Sequence, residues 1–137
     1  MNLFRNLGAT AGIGVAALAA AASFAGSAGA SAKRCPVGAL VLPADSATRA
    51  AKAALAAAVS DYATLNTTGA RVVWAKRATV AGPRGAQVGR ECGAKARERT
   101  VVVELRFPRE APSASLSEGV VDISRFTNGY RVWAVVH

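Results

Sequence analysis

The chain has 137 residues, 52% of them hydrophobic, with 17 lysines and arginines against 8 acidic residues and a formal net charge of +9. That length supports one domain with a modest core. Two cysteines and one histidine, the terminal His137, give no metal-ligand spacing and no well-placed imidazole for a catalytic triad, and no Gly-rich phosphate loop follows a strand.

Met1–Ala32 reads as a secretory signal peptide. Arg5 and the α-amino group supply the positive end, Leu7–Ala25 is an uncharged run rich in Ala and Gly, and Ala28-Gly29-Ala30 and Ala30-Ser31-Ala32 both offer small residues at a scissile bond. The competing reading is an uncleaved anchor, since the apolar run is almost long enough to span a bilayer. Cleavage leaves Lys33–His137 as a single secreted domain, and losing Arg5 takes the net charge from +9 to +8. Lys33 and Arg34 precede Cys35 where a lipoprotein signal needs small apolar residues. Two cysteines in an exported chain predict a Cys35–Cys92 disulfide. The alternative is a reactive Cys92 thiol beside Arg90 and Lys95.

Asp45–Leu65 is the only long stretch with a helical period. At about 100° per residue, Ala47, Ala51, Ala54, Leu55, Ala58, Val59, Tyr62 and Leu65 share one arc, while Arg49, Lys52, Ala53, Ala56 and Ser60 lie opposite. Asp45 or Ser46 is placed to cap the first turn, and Asn66-Thr67-Thr68-Gly69 stops the helix.

Everything after Gly69 reads as strand and turn. Arg71–Val80 is β-branched and aromatic, and Gly82-Pro83-Arg84-Gly85 forces a turn. Ala86–Glu91 is a short strand or part of a long loop. In Arg97–Phe107, Val101, Val103, Leu105 and Phe107 share one face and Val102, Glu104 and Arg106 the other, as a sheet with one buried face requires. Pro112–Ser115 is a linker, and Gly119 suggests a bulge. Val120–Phe126 and Tyr130–Val136 flank Thr127-Asn128-Gly129 as a hairpin. A two-residue loop sets Thr127 opposite Tyr130; a three-residue loop sets Phe126 opposite Tyr130 and Arg125 opposite the like-charged Arg131. The expected architecture is therefore α+β, with one long N-terminal helix on an antiparallel sheet of about four strands.

Arg84, Arg90, Lys95, Arg97 and Arg99 gather in one segment and are the candidate anion-binding residues. A solvated hairpin with alternating charge, as in Arg97-Glu98-Arg99, accounts for the same pattern without a ligand. Trp74 near Lys76 and Arg77, and Trp133 near Arg131, look like stacking platforms but equally like core aromatics. Asp61, Asp122 and Tyr130 meet in a pocket only if the sheet is strongly curled.

The order of one helix followed by antiparallel strands ending in a Gly-aromatic hairpin resembles the cystatin-like and NTF2-like folds, in which a curled sheet wraps a long helix. The tail SLSEGVVDISRFTNGYRVWAVV also looks like small secreted actinobacterial proteins of unknown function. Gln87-Val88-Gly89 has the residue types of the inhibitory Q-x-V-x-G hairpin of cystatins but lacks its intervening positions. The positive charge and the lack of a catalytic cluster point to a non-enzymatic secreted binding module with no cofactor. Its partner would be an anionic extracellular polymer or an exported protein, with no specific nucleic acid and no membrane after cleavage. The alternative is an NTF2-like pocket that binds a small molecule or catalyses a reaction, with Tyr62, Tyr130 or Asp122 in it.

Overall fold

The computed structural model describes residues 35–110 and 117–136, so the expected leader, the Pro112–Ser115 linker and His137 lie outside the described residues. The elements run α1 (Ser46–Asp61), β1 (Arg71–Arg77), a 3-10 turn (Ala78–Val80), α2 (Gly82–Cys92), α3 (Ala94–Glu98), β2 (Thr100–Arg106), β3 (Glu118–Phe126) and β4 (Gly129–Val136). The strands form one antiparallel meander in the order β1-β2-β3-β4. The fold is α+β. Among the described residues no helix is long and apolar enough to cross a membrane.

The long helix expected over Asp45–Leu65 is not supported. α1 ends at Asp61 because Tyr62 leaves helical geometry (φ −121°, ψ 45°) and the Leu65 N–H turns back to the Tyr62 carbonyl. Its faces also differ from the expected ones. The buried positions are Ser46, Ala50, Ala54, Ala58 and, just beyond the helix, Tyr62, whereas Val59 is 70% exposed and Leu55 39%. The buried side chains recur every four residues as a narrow stripe of small groups, so the backbone of α1 lies close on the sheet and the larger Leu55 and Val59 are left outside. Ala53, placed on the polar arc by the sequence, packs against the core. No side-chain cap forms at the start: Asp45 Oδ2 instead accepts a hydrogen bond from Arg49 Nε at 2.6 Å.

β2 bears out the alternation. Val101, Val103, Leu105 and Phe107 are all fully buried and join Val121 and Ile123 of β3 under α1, with the Tyr62 and Phe107 rings tilted together at 4.8 Å. The other sheet face does not stay in solvent. Val102 is equally buried, beneath Ala78 and Ala81 at the start of a helical layer that the strand-only expectation missed. Gly82–Gly85 is the first turn of α2 rather than a loop, and Pro83 fits there because first-turn N–H groups have no intrahelical acceptor. Likewise Arg77 ends β1 before the expected Val80, and Arg97–Arg99 belongs to α3 and its exit rather than to β2.

The hairpin adopts neither expected register. Phe126 pairs with Gly129, Arg125 with Tyr130 and Ser124 with Arg131, so the loop is Thr127-Asn128 and the Arg125–Arg131 clash is avoided. Gly129 takes φ +115°, a conformation that favours glycine. The bulges fall at Val73 and Trp133, and β3 runs past Gly119 without one.

Candidate functional site

The Cys35–Cys92 disulfide joins the segment before α1 to the last residue of α2, with Cα atoms 5.4 Å apart. It sits at the end of the sheet where β1 and β3 finish and β2 and β4 begin. Four further bonds hold the segment there, all donated by three arginines to main-chain carbonyls. Arg77 Nη2 reaches Leu42 O at 3.0 Å and Pro43 O at 2.7 Å, Arg99 Nη1 donates to Ala39 O, and Arg125 Nη1 reaches Val41 O at 3.3 Å. The Leu40 N–H donates to Arg125 O at 2.8 Å.

The five expected anion-binding residues divide accordingly. Arg84 points inward from α2. Its Nε and Nη2 grip the two oxygens of Asp122, and Nη1 donates to Gln87 Oε1 at 2.9 Å. Its side chain is 12% exposed and that of Asp122 is 0% exposed, so this guanidinium closes the helix onto the sheet. Arg97 donates to the Ala78 and Thr79 carbonyls at 3.4 and 3.2 Å, and Arg99 to Ala39 as above. Arg90 and Lys95 are exposed and have no ion-pair partner among the described residues.

A carbonyl binds a guanidinium without cancelling its charge. Each arginine has five N–H donors, and a carbonyl engages one or two of them. Arg77, Arg97, Arg99 and Arg125 are therefore immobilised cations with donors to spare. Arg131 is fixed differently, over the Phe126 ring at 4.3 Å. With Arg90 and Lys95 they collect at the disulfide end. At the far end, Arg106 is paired with Glu118 at 2.6 Å.

Two cavities flank the Cys35–Val37 turn. One, of about 310 Å³, is lined by residues 35–39 together with Cys92, Lys95, Ala96 and Arg99. The other, of about 400 Å³, is lined by Cys35, Pro36, Val37, Phe126, Arg131, Val132 and Trp133. Val37 lines both and is 89% exposed. Trp133 is steadied by a directed chain: its Nε1–H donates to Ser124 Oγ at 3.1 Å, Ser124 bonds Thr100 Oγ1 at 3.2 Å, and Thr100 donates to Ala96 O at 2.7 Å. A third cavity, of about 450 Å³, lies over Arg90, Arg97 and Glu98.

The residues considered for an acid–base pocket are not brought together. Asp122 lies under α2, while Tyr130 packs on the α1 face of the sheet. The Tyr62 hydroxyl is within 3.3 Å of the Val120 and Val136 carbonyls as donor, and burial, reinforced by Asp61 and Asp122, pushes its pKa above the ordinary phenol range. It therefore keeps its proton. Among the described residues no group of three or more His, Cys, Asp or Glu side chains is placed to hold a metal ion.

Sequence reading missed Arg77, Arg125 and Arg131 as members of the cationic end. For Arg131 the available signal was the pairing across the hairpin, which makes it a diagonal neighbour of Phe126 when Phe126 stands opposite Gly129. Comparison with protein-family models, curated proteins and solved structures gives no match to this chain.

Proposed function

We propose that this is a secreted, non-enzymatic binding module that attracts anionic extracellular polymers through its disulfide end. The observation that carries the reading is that arginines there are bound to carbonyls rather than carboxylates. Their positive charge is thus uncancelled and their side-chain entropy is already lost before a ligand arrives. Arg90 and Lys95 add mobile charge, and the net charge, +9 for the full chain and +8 once Arg5 leaves with the leader, adds long-range attraction. The α1 face of the sheet is filled by Tyr62, Phe107, Leu105 and Ile123, so it offers no support for an NTF2-like pocket. The disulfide is compatible with an extracellular location, and in this reading the Met1–Ala32 leader is removed on export.

Retention on an immobilised polyanion tests the reading. Retention at low salt that falls steeply towards physiological salt is expected, because binding releases condensed counterions. No retention at low salt, or retention indifferent to salt, contradicts it.

A further inference from the structure

We propose that the two cavities beside the Cys35–Val37 turn form one site for an acidic polysaccharide, with Lys95 and Arg99 holding acid groups on one side, Arg131 on the other, and Val37 and Trp133 against the sugar rings. The proposal rests on the reading of the protein as a polyanion binder and gives that reading an address and a ligand class.

Both cavities share Cys35, Pro36 and Val37, so a linear chain laid over the turn contacts both. Among the described residues no acidic side chain lines either one. Their volumes, about 310 and 400 Å³, are those of small-ligand sites, and each combines cationic groups with apolar surface. A uronic-acid unit has the matching character, a carboxylate on a ring with apolar C–H faces. Arg99 is prepared for it: one donor is bound to Ala39 O and the planar fork is thereby aimed. Lys95 is exposed and adjusts to the spacing of the acid groups.

The aromatic geometry favours sugars over single-stranded nucleic acid. Base stacking needs an open ring face, and Arg131 already stands over Phe126. Trp133 is half-buried and its indole N–H is engaged by Ser124, so it presents part of its surface to a ring rather than a whole face to a base. The disulfide belongs to the lining of the site, since Cys35 borders both cavities and Cys92 one.

The test is titration of the disulfide-intact protein with a uronic-acid oligosaccharide, its neutral counterpart, a polyglutamate peptide and a single-stranded oligonucleotide, the anions matched in charge. The acidic oligosaccharide should bind best and the neutral one not measurably. Lys95→Glu with Arg131→Glu should weaken binding about tenfold or more, whereas Arg71→Glu with Arg109→Glu, at the other end of the sheet, should change it by less than about twofold. Val37→Asp alters a side chain that is 89% exposed, so it leaves the fold intact and should still weaken binding at least about threefold. Tighter binding of the peptide or oligonucleotide overturns the ligand class. Equal weakening by the two charge-reversal pairs, or an unchanged Val37→Asp protein, overturns the site while leaving the polyanion reading in place. Failure of every anion to bind overturns both.

Discussion

Gly119 stands against the Tyr62 ring: a Cβ there would overlap Cζ and Oη of the tyrosine. The glycine is required by the approach of two backbones around one aromatic side chain. In the sequence it is conspicuous, but a glycine in a strand signals either a bulge or a close contact, and only the position of Tyr62 across the core decides between them. Gly119→Ala should therefore destabilise the protein by about 1–3 kcal/mol, as overpacking does, in urea unfolding monitored by circular dichroism. Asp61, at the end of α1, gives a pH-dependent counterpart. Its Oδ2 is buried without a hydrogen-bond partner, and desolvation raises its pKa above the ordinary 3.8. The folded state thus holds this proton more tightly than the unfolded chain, and stability is lost as pH rises from the unfolded value through the folded one. Asp61→Asn should make the protein more stable at neutral pH, with the advantage shrinking to nothing below the unfolded carboxylate pKa. Thermal unfolding at pH 3 and pH 7 checks this, and a variant less stable at pH 7 contradicts it.

At the scale of elements, the legible parts were those whose period admits one reading. The alternation Val101, Val103, Leu105, Phe107 located β2 and its inner face correctly. In α1 the period was visible but the face was not, because alanines occur all round the helix and hydrophobic size pulled the arc towards Leu55 and Val59. Packing chose the stripe of small residues instead, since close approach of helix and sheet excludes bulk. Ala54→Leu should consequently cost about 1–3 kcal/mol, whereas Val59→Asp should stay within about 0.5 kcal/mol; comparison of their urea midpoints checks the assignment. α2 was missed because Gly82-Pro83 and Gly85 read as turn residues. Its actual signal is the spacing Ala81, Gly85, Val88, Cys92, four, three and four residues apart, which puts the buried Ala81, Gly85 and Val88 and the disulfide on one face. Gly85 lies against the Ala78 carbonyl, where any Cβ would collide. The fork of Arg84 on Asp122 then locks the helix to β3. Arg84→Met removes the countercharge from a fully buried carboxylate and should destabilise by about 3 kcal/mol, with α2 losing amide-exchange protection first.

For the molecule as a whole, the disulfide and the arginine–carbonyl bonds fasten one long segment, 35–45, across the ends of three strands. The cysteine pairing was legible from the even count and the expected export. The use of Arg77, Arg99 and Arg125 as fasteners was not, because a carbonyl acceptor leaves no mark in the sequence. Replacing both cysteines by serine should cost about 4 kcal/mol for a separation of 57 residues in the chain-entropy account. It should also loosen the turn that borders both cavities. The two tryptophans supply the most direct measurement of whether that end is where polyanions bind. Trp133 borders a cavity beside Arg131, while Trp74 lies on β1, paired with Glu104, on the face covered by the 3-10 turn and α2. In a nuclear magnetic resonance titration with a uronic-acid oligosaccharide at low salt, the Trp133 indole N–H signal should move saturably and return on adding salt, while that of Trp74 stays in place. Equal movement of both signals, or movement of Trp74 alone, would contradict binding at the disulfide end.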